Sequence, residues 1–304
     1  MRILKRILLG LGAVLLALVL LLAGSILVDS LVGGGRVDAL TNTIVPNANG
    51  PAVRAYVAKP TTPGPHPTVI MVHEFWGIKP EIIGKADALA QEGYVVIAPD
   101  LFRGSTTDLV PRAIFNVISH PAAQVDSDLD AVVKWAQAQP DVQGDKIAVM
   151  GFCFGGGTAI RYSAGTNPNL AATAVFYGTP VDDANKLRNL RGPVLGIFGG
   201  ADASIPLSEV NAFEAGLKSA GVPHQITIYD GQPHAFVTSI EAIQQGGAQG
   251  AAWNEFVTFL DKALKGQAGA TYPGLRTLPT AMHGHGQPTD FLHVINHWHA
   301  LIPN

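Results

Sequence analysis

The residues best placed to do chemistry lie where positions 146–160 read Lys-Ile-Ala-Val-Met-Gly-Phe-Cys-Phe-Gly-Gly-Gly-Thr-Ala-Ile. An apolar strand runs straight into Gly-x-Cys-x-Gly and then into a helix, the spacing of a nucleophile elbow with Cys153 in the place of serine. Such a turn forces its central residue into a strained backbone conformation, so the neighbours must lack bulk, and Gly151 and Gly155 meet that need. A sulfur held there lies at a helix N-terminus, whose partial positive charge favours thiolate. The backbone N–H of Phe154 then points toward a developing oxyanion. A phosphate loop is excluded, because no Lys-Ser or Lys-Thr pair follows the glycines.

An elbow nucleophile should be followed along the chain by an acid and then a histidine. Asp202 comes just after an apolar run ending at Phe198, in Gly-Gly-Ala-Asp, and His234 comes just after one ending at Tyr229, in Gly-Gln-Pro-His-Ala-Phe. The imidazole would take the thiol proton and later protonate the leaving group, while the carboxylate fixes its tautomer. Asp230 is a rival acid, better explained by the glycine-containing turn that it begins. Taken singly, Cys153 could be structural, Asp202 a capping residue and His234 a loop histidine; the three in order carry the reading.

Those side chains need a frame, and the hydrophobic pattern supplies one. Continuous apolar runs at 68–72, 94–98, 146–151, 172–177, 194–198 and 225–229 read as buried strands. Helical periods at 81–92, 126–138, after Gly155, at 206–219 and at 251–265 alternate with them. Such alternation means an α/β fold, a mostly parallel sheet with helices on both faces. Chemistry in such sheets gathers beyond the strands' carboxyl ends, where Cys153, Asp202 and His234 all fall. Residues 103–125 form a long connection with a short helix expected at 111–119.

The chain resembles the dienelactone hydrolase family of the α/β-hydrolase fold over about residues 51–265. The motifs are His-Glu-Phe-Trp-Gly (73–77), Glu-Gly-Tyr-Val-Val-Ile-Ala-Pro-Asp-Leu-Phe (92–102) and Gly-Phe-Cys-Phe-Gly-Gly (151–156). Phe-Tyr-Gly (176–178), Gly-Ala-Asp (200–202) and Gly-Gln-Pro-His-Ala-Phe (231–236) continue the match. The resemblance implies a Cys–His–Asp hydrolase opening lactones or cleaving small esters, as carboxymethylenebutenolidases do, without a cofactor. It implies that Glu74 meets the resting thiol and that the N–H of Phe75 completes the oxyanion hole. Without it, Glu74 is a carboxylate in a loop after a strand.

Members acting on dienelactone hold its carboxylate with arginines. One of these positions is Thr238 here, and Arg103 falls one residue early for the other. Arg103 is therefore as readily a surface arginine as a substrate-binding one. Trp76 lines the pocket or packs in the core.

Composition bounds the remainder. The 304 residues are 47% hydrophobic and 14% charged with a net charge of −3, so no basic surplus exists for nucleic acid. The single cysteine excludes an intramolecular disulfide. Arg2, Lys5 and Arg6 precede residues 7–28, which carry no charge. A helix of that length covers ~33 Å, enough for a bilayer's hydrocarbon core. The basic flank places the N-terminus in the cytoplasm and the rest outside it, on the periplasmic or extracellular side. A cleaved signal peptide is the alternative, but its apolar core should run only ~7–15 residues.

The expected organisation is an anchor or signal segment at 1–30, a flexible linker at 31–50, the hydrolase-like domain at 51–267 and a histidine-rich extension at 268–304. That extension holds five of the ten histidines. His293 and His297 could share a metal ion on a helix, though no cysteine joins them and a packed or solvated tail explains them as well. No metal site is assigned. The expectation is a membrane-anchored ester or lactone hydrolase working through a thioester, against an anchored binding module that kept the fold and little activity. The natural substrate and the oligomeric state are not written in the sequence.

Overall fold

A computed structural model of the protein describes residues 2–165, 170–266 and 272–278. The apolar runs form strands because both their faces are covered. Helices α1 (Arg2–Leu40), α2 (Pro80–Gln91), α3 (Val110–Ser119), α4 (Ala122–Gln137), α5 (Phe154–Ser163), α6 (Ala184–Leu187), α7 (Leu207–Ala220), α8 (Ile240–Gln244) and α9 (Gly247–Leu264) accompany nine strands. The strands are β1 (Thr43–Val45), β2 (Val53–Ala58), β3 (His66–Val72), β4 (Val95–Pro99), β5 (Val142–Phe152), β6 (Ala172–Phe176), β7 (Val194–Gly199), β8 (His224–Tyr229) and β9 (Gly274–Leu278).

They make one sheet in the order β1-β2-β4-β3-β5-β6-β7-β8-β9. β1, β2 and β4 pair antiparallel, and every other pairing is parallel. This is the α/β-hydrolase fold. Strand alternation divides the core: Ala148, Met150 and Phe152 of β5 pack toward α2 and α9, while Ile147 and Val149 pack toward α4. A third cluster joins Ile160 of α5 and Phe213 of α7 to Val175, Val194 and Ile226 of the sheet.

Two segments differ from the sequence reading. The linker expected at 31–50 continues α1 to Leu40 and then contributes β1. The reason is packing: Val37 is buried in the core and Asp38 forms an ion pair with Arg54 of β2. The Asn42 side chain bridges to both backbone groups of Val57. Tertiary contacts thus override the weak helix propensity of Gly33-Gly34-Gly35. The extension expected at 268–304 likewise supplies β9, held beside β8 by Arg276, which pairs with Glu255 at 2.7 Å and donates to Thr227 Oγ1. The histidines of that extension lie outside the described residues.

Candidate active site

Cys153 sits between β5 and α5 with φ +52° and ψ −115°, a conformation that L-residues avoid. Its N–H donates to the carbonyl of Phe176 and its carbonyl accepts from Gly157, so the bend is locked to β6 and α5. The glycines are sterically required. A Cβ on Gly151 would strike the backbone of Gly155, and one on Gly155 would strike the carbonyl oxygens of Val72 and His73.

The loop after β3 completes the sulfur's surroundings. The backbone N–H groups of Phe154 and Phe75 approach the sulfur and favour its ionised form. The helix N-terminus favours thiolate as well, but the surroundings oppose it. Burial, reinforced by the Glu74 carboxylate, pushes the thiol up to about 11 despite those two donors, so at neutral pH it is protonated. Glu74 is itself raised by burial, against the opposing pull of Lys85 and His234.

His73 holds this loop in place. Its Nδ1 lies 2.7 Å from the Glu74 carbonyl and its Nε2 accepts from the N–H of Leu101 at 3.2 Å. Complete burial lowers it to about 4, so it is a neutral strut between the loops after β3 and β4.

Beyond β7 and β8, His234 Nδ1 meets Asp202 Oδ2 at 2.8 Å. The other carboxylate oxygen accepts from the N–H groups of Ser204 and Ile205. Nδ1 is therefore the protonated nitrogen, leaving Nε2 as the basic one. The ring stands edge-on to buried Tyr177, 5.4 Å between centroids, whose hydroxyl donates to the Val237 carbonyl.

A cavity of ≈ 650 Å³ reaches Glu74 and Ala235, the neighbour of His234, and is lined also by Trp76, Lys85, Asp108 and Thr238. Trp76 thus lines the pocket, with its ring 4.3 Å from that of Phe75. Arg103 does not line it. Its guanidinium is bound to Asp128, whose carboxylate is fully buried, at 3.1 Å. Asp128 also accepts from Asn47, so this arginine ties α4 to the loop after β4. Among the described residues no group of three or more His, Cys, Asp and Glu side chains is arranged to hold a metal ion.

One of the two lysines lining the cavity, Lys85, is a buried residue that sequence reasoning passed over. Lys85 is only 2% exposed, its Nζ donates to the Thr238 carbonyl at 2.6 Å, and the ammonium lies 4.7 Å from the centroid of Phe152. Its charge favours the ionised form of Glu74. A signal was present: Lys85 falls on the buried stripe of α2 with Ile82, Ala86 and Leu89, where a charge needs a reason.

A model of the dienelactone hydrolase family matches residues 53–264. The chain belongs to the dienelactone hydrolase family. A "Putative carboxymethylenebutenolidase" of Methylorubrum extorquens is 33% identical over 206 residues, covering 63% of this chain and 70% of its own. One of the same name from Synechocystis is 30% identical, over 75% of this chain and 99% of its own. The crystal structure of a "Putative Dienelactone Hydrolase" from Klebsiella pneumoniae matches with a TM-score of 0.64 and 32% identity, covering 72% of this chain and 97% of that one. The dienelactone hydrolase assignment makes this protein an enzyme of the ester- and lactone-cleaving class.

Proposed function

We propose that this dienelactone hydrolase-family enzyme cleaves small esters or lactones through Cys153, with His234 and Asp202 as its partners. The observation that carries this is the sulfur's position. It sits at a strained bend, on two convergent N–H groups, on the side of the sheet where an oriented imidazole also stands.

At rest the thiol occupies the hollow lined by the N–H groups of Phe75 and Phe154. A substrate carbonyl entering that hollow displaces the sulfur toward His234. Nε2 takes the thiol proton as sulfur attacks the carbonyl carbon, and the two N–H groups stabilise the oxyanion. Collapse expels the alkoxide, which takes the proton from His234 and leaves a thioester. Water then attacks with His234 as base, returning the acid and the thiol. Asp202 holds the imidazole throughout, and Glu74 keeps the thiol protonated until substrate arrives. No cofactor takes part.

We also read residues 9–28, an exposed apolar helical stretch of mean hydropathy 2.8, as a membrane anchor. The basic residues before it put the enzyme domain outside the cytoplasm. Cleavage as a signal sequence is the competing reading, and N-terminal sequencing of the mature protein separates the two.

The test of the chemistry is a screen of small aryl esters and lactones against wild type and Cys153→Ala. Loss of turnover in the variant, with a covalent acyl adduct on residue 153 in wild type by mass spectrometry, supports the reading. Undiminished turnover in Cys153→Ala overturns it.

A further inference from the structure

α3 is amphipathic in the wrong sense for a helix on a water-facing surface. Its inward face carries Arg112, Ala113 and Asn116, all buried. Its outward face carries Val110, Ile114, Phe115 and Ile118, joined by Leu109 just before it; all are exposed, Ile118 by 74%. Positions 110, 114 and 118 repeat every four residues and so form one stripe along the helix. A soluble domain would turn that stripe inward, because water penalises contiguous apolar surface.

The inward face shows why it cannot turn. Ser105 donates to Asn116 Oδ1 at 2.8 Å, and Arg112 donates to Ser105 Oγ. Arg112 also donates through Nη1 to the carbonyl of Ile26 at 2.9 Å. Ile26 lies two residues before the end of the apolar stretch Leu9–Val28. At ~1.5 Å per residue, the carbonyl that Arg112 grips therefore lies about 3 Å along the axis from the point where that stretch ends. Arg112, itself buried, thus fastens α3 beside the end of the apolar stretch.

We propose that α3 is an interfacial helix, its outward stripe embedded in the surface of the bilayer that the N-terminal helix crosses. This rests on reading residues 9–28 as a membrane span. The partner is lipid, and the argument for it is continuity: the helix that bears the stripe is tied by Arg112, on its inward face, to the end of the N-terminal helix, whose residues 9–28 are the other large exposed apolar surface among the described residues. The rim of the cavity comes with it. Asp108 lines that cavity, pairs with Lys79 at 2.6 Å and stands just before α3, while the N–H of Thr107 donates to the Trp76 carbonyl. Docking of α3 therefore sets this rim at headgroup level.

The experiment uses the full chain in a Cys153→Ala background, with single cysteines placed by Leu18→Cys, Ile118→Cys or Ser219→Cys. Each carries the same environment-sensitive fluorophore, and the protein is reconstituted into vesicles of phosphatidylcholine and phosphatidylglycerol. Ser219 is an exposed residue near the end of α7 and serves as the aqueous reference. The expected result is blue-shifted emission and quenching by brominated acyl chains for the labels at 18 and 118, with iodide quenching only the label at 219. Quenching by lipid at 18 but by iodide at 118 overturns the docking of α3 and leaves the anchor intact. Iodide quenching at both positions overturns the anchor and the docking together. A label at 118 shielded from iodide yet untouched by brominated lipid means that protein covers the stripe, which also overturns the proposal.

Discussion

Asp202 uses both carboxylate oxygens, one on the N–H groups of Ser204 and Ile205 and the other on His234 Nδ1 at 2.8 Å. The acid is thus fixed by its own loop before it orients the imidazole. Asp202→Asn should keep the loop, through its amide oxygen, while presenting an NH₂ group to Nδ1 and so favouring the wrong tautomer. The expected outcome is an unchanged melting temperature with kcat reduced by roughly 10²–10⁴-fold. Retention of near-wild-type kcat would remove Asp202 from the mechanism.

The titration of Cys153 can be followed by the rate of alkylation with iodoacetamide. Burial and the neighbouring carboxylate favour the neutral thiol, so the rate should climb with pH toward a midpoint near 11 in the absence of substrate. Glu74→Gln removes a negative charge from beside the sulfur, so the midpoint should fall. A midpoint unmoved by that substitution would mean that Glu74 does not restrain the resting nucleophile. Stability is linked with the same sign. The folded thiol titrates above its ordinary 9.0, so its contribution is whole below pH 9 and declines as pH rises through about 11.

Lys85 should act on Glu74 rather than on the fold alone. Its positive charge draws Glu74 toward ionisation, so Lys85→Met should raise the Glu74 titration further. If the ionised carboxylate is the working form, the acid limb of the kcat/KM profile moves to higher pH. A shift of one pH unit would cost about tenfold in rate on that limb. Lys85→Arg should restore part of the profile. A uniform loss at every pH, with no displacement of the limb, would assign Lys85 a packing role only.

Gly151→Ala tests the elbow's geometry independently of chemistry. The added Cβ would meet main-chain atoms of Gly155, which cannot swing aside as a side chain does. A destabilisation of ~3 kcal/mol or more, read as a fall in melting temperature, is expected. A variant with wild-type stability would show that β5 and α5 approach less closely than described.

Much of this protein is legible in one dimension. β3 to β8 announce themselves as continuous apolar runs because both faces of each are covered, and the glycines around Cys153 mark a turn that no bulkier residue survives. The chain order of Cys153, Asp202 and His234 points to acyl-transfer chemistry by itself. β2 is less visible: its buried Val53, Ala55 and Val57 alternate with Arg54 and Tyr56 in a strand too short for the period to stand out. β1 and β9 have three and five residues and exist only through pairing with β2 and β8.

The amino-acid order by itself determined the alternation of strands and helices, the sharp turn at Cys153 and the apolar N-terminal run, since each depends on neighbours along the chain. Tertiary structure alone decided what each charge meets. It sent Arg103 to Asp128, brought Lys85 beside Glu74 and Thr238, and seated the thiol in an environment that protonates it. The physical reason is that burial and electrostatic partners are set by groups far apart in sequence, as with Lys85 and Thr238, which are 153 positions apart.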